Sequence, residues 1–258
     1  MRATPAAFLL AAFAGGALCP LPAHGENRNA LRQIVQEQCL VHWLEHREPA
    51  PCERVEAAYA VLADRKGGAH FLLIPTKTIA GIESAELEQA GTPNYLAAAW
   101  RARDRLAAAA GREIPRGAVG LAVNPPHART QDQFHIHIEC LRPDVFRSLD
   151  AAAERITDTW STLTVGGAHY EALRIMGEDL DGANPFELLA KHAQAAGHAA
   201  GDYTLVLAGM QFRSGAGFIL LASTGPAGEL LLDSTCAVAP GAVAPGAAAP
   251  GLNSDADR

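Results

Sequence analysis

The chain has 258 residues, 49% of them hydrophobic, and 21 Lys and Arg against 28 Asp and Glu leave a formal net charge of −7. A chain of this length can bury one sizeable core or two small ones. The acidic balance argues against nucleic acid as the main partner, because that role calls for a basic face.

The N-terminus reads as a targeting segment. Arg2 is the only charge before Glu26, and an apolar run extends from Ala6 to Leu18. That run matches the core of a secretory signal and is short of the ~20 residues a bilayer span needs. Residues 1–23 are therefore expected to be a signal peptide cut near Ala23, or an uncleaved membrane anchor. The bulky Leu18 argues against lipid attachment at Cys19. Export makes disulfides the expected state of Cys39, Cys52, Cys140 and Cys236. Cys39 and Cys52 are the local pair, which would leave Cys140 with Cys236. Three pairings are formally open, as are buried free thiols.

Leu31, Ile34, Val35 and Leu40 recur at helical spacing in residues 27–40. Residues 57–75 read as a hairpin: AAYAVLA, a turn DRKGGA, then HFLLIP. A short helical patch follows around Ser84–Gln89. Thr92 and Pro93 read as the N-cap and first residue of an Ala-rich helix that stops at Gly111. Strands are expected over 118–124 and 133–141, a helix over 144–156, and a strand over 170–176 after Gly166 and Gly167. Asn184 and Pro185 open another helix, and YTLVLAGMQF and GFILLAS read as two apolar strands around a Ser-Gly turn. The Ala-, Pro- and Gly-rich residues 237–258 lack large apolar side chains and are expected to be disordered. The pattern predicts an α+β class with one domain over 27–236. Its second half either extends the same sheet or forms a smaller layer.

The stretch NPPHARTQDQFHIHIECLRP (124–143) carries the chemistry. Alternation puts Gln133, His135, His137 and Glu139 on one strand face, and Phe134, Ile136, Ile138 and Cys140 on the other. The apolar face belongs to a core, so the polar face must be wet, liganded or internally satisfied. One reading is an ordinary solvated sheet face. Another is a metal site built from His135, His137 and Glu139 or His127. A third is a nucleophilic imidazole attacking phosphorus, with a phosphoramidate as covalent intermediate. Asn124, Gln131 and His135 would then donate to phosphate oxygens, and Arg129 would offset substrate charge. His169, His192 and His198 are scattered and read as surface or core residues.

Asn124, Gln131 and the run His135-Ile-His137-Ile-Glu139 resemble the signature of the histidine-triad superfamily. In the ungapped register His135 matches its first triad histidine and His137 its nucleophile, with Glu139 where most members have His. A shifted register makes Gln133 the first position and His135 the nucleophile; the spacing of Asn124 and Gln131 favours the ungapped one. LLIPTKTIAGIES, TPNYLAAAWRARD, RTQDQFHIHIECLRPDV, HYEALRI and NPFELLA together resemble the bacterial CDP-diacylglycerol pyrophosphatase family over most of residues 30–236. Gln133 departs from the histidine that family carries.

The resemblance implies a histidine-triad-like antiparallel sheet with packed helices, extended by C-terminal strands and a helix. It implies hydrolysis of CDP-diacylglycerol to CMP and phosphatidate by catalytic His137 and His135, with Asn124, Arg129, Gln131 and Glu139 binding substrate. No metal or cofactor is called for. The implied setting is the periplasmic side of the inner membrane, with the lipid surface as partner, and a homodimer is compatible. Residues near Trp100, Phe146 or Trp160 would line an acyl-chain groove. The rivals are a hydrolase or transferase of soluble nucleotides on the same scaffold, and a periplasmic metal-binding protein.

Overall fold

The computed structural model describes residues 27–237. The targeting segment read in residues 1–23, and all but the first residue of the tail read from 237, lie outside the described residues. No helix among the described residues is long and apolar enough to cross a membrane.

Ten strands form one antiparallel sheet: β1 (Arg54–Val55), β2 (Tyr59–Ala63), β3 (Phe71–Pro75), β4 (Val119–Val123), β5 (Ile136–Leu141), β6 (Ser161–Val165), β7 (Ala168–Met176), β8 (Thr204–Phe212), β9 (Gly215–Ser223) and β10 (Leu232–Asp233). Their order is β1-β2-β3-β5-β4-β8-β9-β7-β6. β10 shares an edge of β5 with β3: Ile136–Ile138 of β5 pair with β3, whereas Cys140 and Leu141 pair with Asp233 and Leu232. The second half of the chain thus extends the sheet begun by the first.

The helices are α1 (Ala30–Gln33), α2 (Leu40–His46), α3 (Tyr95–Arg101), α4 (Asp104–Ala110), α5 (Pro143–Ala152) and α6 (Pro185–Ala195). A π-helical stretch, Ile34–Cys39, joins α1 to α2 and turns Val35 and Cys39 inward with Leu31. The expected Asn184 cap is present: its side chain accepts from the Phe186 N–H at 3.1 Å, with Pro185 at the first helical position. The Thr92 cap is a correction. Asn94 caps α3, accepting from Ala97 N–H at 3.0 Å, while Thr92 Oγ1 donates instead to the Glu86 carbonyl. Asn94 wins because its amide also donates to the Leu180 and Ala183 carbonyls, fastening the helix start to a distant loop. The Ala-rich helix breaks after Arg101 and resumes as α4, ending at Gly111 as expected.

The 133–141 strand begins only at Ile136. Strand β6 went unread because Ser161, Thr162 and Thr164 are polar and exposed on a sheet edge. Its hairpin with β7 turns through Gly166 and Gly167, both at positive φ, as the tight antiparallel turn requires.

The two sheet faces carry different layers. One face holds Phe71, Leu73, Leu121, Ile136, Ile138, Leu207 and Phe218 under α3, α4 and α6. The other is split. The helical segment 30–46 covers Ala60, Leu62, Leu72 and Ile74 at one end, and α5 covers Ala122, Leu141, Val206 and Leu221 at the other. Between these two apolar patches lie the polar residues of β5. Trp100 and Phe146 are core residues, 1% and 8% exposed, so neither lines an acyl-chain groove. Trp160 stacks on His192 at 4.4 Å. The four cysteines form Cys39–Cys52 and Cys140–Cys236.

Candidate active site

The alternation of β5 survives in three dimensions, but its polar face is buried rather than wet. Gln133, His137 and Glu139 are 1%, 5% and 6% exposed, and His135 is only partly buried. A buried polar row must find partners, and strand register supplies one. In the β3–β5 ladder Leu72 faces His137, and the same register carried two residues further puts His70 beside Glu139. His70 Nε2 lies 3.0 Å from His137 Nδ1 and 3.2 Å from Glu139 Oε1. The remaining nitrogen of each ring faces a carboxylate: His70 Nδ1 is 3.8 Å from Asp64, and His137 Nε2 is 3.4 Å from Glu229. His137 Nε2 is fully buried and makes no hydrogen bond among the described residues.

Glu229 arrives on a strap, residues 224–233, that crosses the sheet face. Gly228 lies so close to β4 and β8 that a Cβ there would meet Val206 Cγ2 at 2.7 Å and Thr204 Oγ1 at 2.8 Å. Its N–H donates to Asn124 Oδ1 at 2.9 Å, and Thr204 Oγ1 also reaches that oxygen at 3.5 Å. Arg142 grips the strap further on, its backbone N–H donating to the Leu231 carbonyl and its guanidinium to that of Leu230.

His135 has a different environment. Its Nδ1 lies 2.8 Å from the Gln133 carbonyl. A carbonyl only accepts, so Nδ1 carries the proton and Nε2 keeps its lone pair. The His135 and His137 rings meet edge to face with centroids 5.0 Å apart.

Burial dominates the electrostatics. It holds the pKa of His135 down and that of His137 well down, with His135 and His70 adding to the effect on His137. Burial likewise lowers His70. All three imidazoles are therefore neutral at pH 7. Glu139 moves the other way, pushed up to about 8 by burial and then by the charge of Glu229.

The other predicted residues are dispersed. Asn124 secures the strap. Gln131 ties down the N-terminal helix, accepting from Leu31 N–H and donating to the Asn27 carbonyl. Arg129 is already paired, holding Glu83 through two bonds of 2.6 and 2.7 Å. Gln133 donates to the Pro75 and Lys77 carbonyls, and its buried Oε1 has no partner among the described residues. His127 lies in a short 3₁₀ turn, Pro126–Ala128. Among the described residues the structure therefore gathers His70, His137 and Glu139, not His135, as the cluster able to hold a metal ion. Sequence reading missed His70, Asp64 and Glu229. His70 did carry a signal, since it shares the alternation of Leu72 and Ile74. Glu229 carried none.

A family model described as CDP-diacylglycerol pyrophosphatase matches residues 26–240, well over half of the chain.

Proposed function

The chain belongs to the CDP-diacylglycerol pyrophosphatase family, a family of hydrolases, and we propose that it cleaves CDP-diacylglycerol through a nucleotidyl-histidine intermediate on His135. The family supports the substrate and the hydrolysis. The observation that carries the residue assignment is the contact between His135 Nδ1 and the Gln133 carbonyl, which leaves Nε2 with a free lone pair.

His137, the nucleophile favoured by spacing alone, is less suited to attack. Its Nε2 is buried and faces the Glu229 carboxylate, which accepts a hydrogen when ionised and so favours a proton on that nitrogen. Such an Nε2–H suits His137 to hold Glu229, and with it the strap, beside His135 rather than to attack phosphorus. This is the register in which Gln133 takes the first triad position.

In the first step His135 Nε2 forms a bond to the α-phosphorus, and the bond from that phosphorus to the bridging oxygen breaks. Phosphatidate leaves as a phosphate monoester, a stable anion that needs little protonation. In the second step water attacks the same phosphorus, the P–N bond breaks, CMP departs and the water proton passes to solvent. A neutral imidazole needs no deprotonation before attack, and burial favours that neutral form by lowering the pKa of His135. Leu230, 57% exposed and adjacent to Glu229, supplies apolar surface at the site rim for an acyl chain. The histidine-triad fold, a periplasmic, membrane-proximal setting and a homodimer belong to the same proposal.

The test is intact mass and peptide mapping after rapid acid-free quench with CDP-diacylglycerol in detergent. A single CMP adduct on His135 is expected. His135→Ala should lose roughly a thousandfold in kcat, whereas His137→Gln should still form the adduct, more slowly. An adduct on His137, or none under any condition, would reject the assignment.

A further inference from the structure

We propose that His70, His137 and Glu139 form a three-ligand site for a divalent transition-metal ion of the zinc class, lying behind the attacking His135.

Two observations carry this. The first is geometry. Zn–N and Zn–O bonds of ~2.0–2.2 Å at a tetrahedral centre hold neighbouring ligand atoms about 3.3 Å apart. His70 Nε2 is 3.0 Å from His137 Nδ1 and 3.2 Å from Glu139 Oε1, and all three ligand atoms lie within 4.8 Å of one another. A small opening of the trio would admit an ion.

The second is the outer layer. Metal-binding histidines commonly donate their other ring N–H to a carboxylate, which fixes the tautomer and ring angle. Both histidines have a carboxylate on that side, near enough to take up this role with a small shift: His70 Nδ1 is 3.8 Å from Asp64 and His137 Nε2 is 3.4 Å from Glu229. Two imidazoles, each with one nitrogen turned inward and a carboxylate behind the other, are more than a chance acidic cluster supplies.

The donor set of two imidazoles and a carboxylate suits zinc, cobalt or nickel better than magnesium or calcium, which prefer oxygen.

The ion would tie the start of β3 to β5. It would also polarise His137 through Nδ1, making its Nε2–H a stronger donor. Binding itself does not depend on the hydrolytic mechanism, although that effect on His137 rests on the mechanism proposed above.

The test is titration of the chelator-stripped full chain with Co²⁺, followed by its visible ligand-field absorption, then competition with Zn²⁺. One equivalent with a tetrahedral-type spectrum is expected. Glu139→Gln and His70→Ala should each weaken binding at least tenfold, and His135→Ala should leave it unchanged. Glu139→Gln retains shape, and a thermal melt checks that each variant is folded. No saturable binding at micromolar ion, or binding equal in wild type and both ligand variants, overturns the site. Loss of the CMP adduct at His135 with the metal titration intact would instead overturn the hydrolytic reading alone.

Discussion

Two histidines two residues apart, His135 just before β5 and His137 on it, acquire different surroundings through a single contact each. His135 turns Nδ1 to a backbone carbonyl and keeps a lone pair; His137 turns Nε2 to a carboxylate and is suited to keep a proton there. Glu139 gives a thermodynamic test of the same environment. Its pKa in the folded chain is about 8 against an ordinary value of 4.5. Between those values the folded state holds a proton that the unfolded state has released, so this group's contribution favours folding at low pH and fades as pH rises toward 8. Glu139→Gln removes the titration. The variant should therefore gain on wild type between pH 5 and 8, by an amount on the order of a few kcal/mol. Urea unfolding at several pH values measures it, and a stability difference that is flat with pH would show that Glu139 is not held neutral by burial. The lowered histidines act in the opposite sense and at lower pH: the unfolded chain binds their protons first, so their burial costs stability as pH falls below about 6.5.

At the level of elements, the strap between β9 and β10 decides whether Glu229 reaches His137. Gly228 allows it to lie against β4 and β8. Gly228→Ala would place a methyl carbon 2.7 Å from Val206 Cγ2 and 2.8 Å from Thr204 Oγ1, so the strap must lift. The expected outcome is about 1–3 kcal/mol of destabilisation, typical of overpacking, with weaker contact between Glu229 and His137. Denaturant melts and the NMR shift of His137 Nε2 read the two effects separately; an unchanged melt would mean that the strap is loosely held. Much of the element pattern was legible in the chain itself. The 57–75 hairpin, the Asn184 cap, the paired strands β8 and β9 and the amphipathic strand β5 all follow from local periodicity and turn chemistry. What was not legible depends on register between strands distant in sequence. His70 and Glu139 are 69 positions apart, and only the β3–β5 pairing puts them side by side. Nor does spacing along a loop say which way an amide turns: Gln131 here holds the N-terminal helix.

Across the whole molecule, the two disulfides close loops of very different length and brace different regions. Cys39–Cys52 spans 13 positions and joins the helical segment to the chain entering β1, while Cys140–Cys236 spans 96 and anchors the end of the strap beside β5. In the chain-entropy account a cross-link stabilises by restricting the unfolded chain, with a term that grows as the logarithm of loop length. From that term alone the long bridge should contribute about 1.5–2 kcal/mol more than the short one. Their functional effects should diverge further. Cys140 follows Glu139 directly, and Cys236 follows β10, the strand that ends the Glu229 strap. The Cys140→Ser/Cys236→Ser variant should therefore lose stability and also raise KM or lower kcat, because the strap loses its covalent anchor. The Cys39→Ser/Cys52→Ser variant should lose stability with little change in turnover of the folded fraction. Melting curves and steady-state kinetics on both, below their transition temperatures, separate the two contributions. Equal kinetic losses in the two variants would mean that the strap is held by its hydrogen bonds to Asn124 and Arg142 alone, and that the covalent link serves stability without shaping the site.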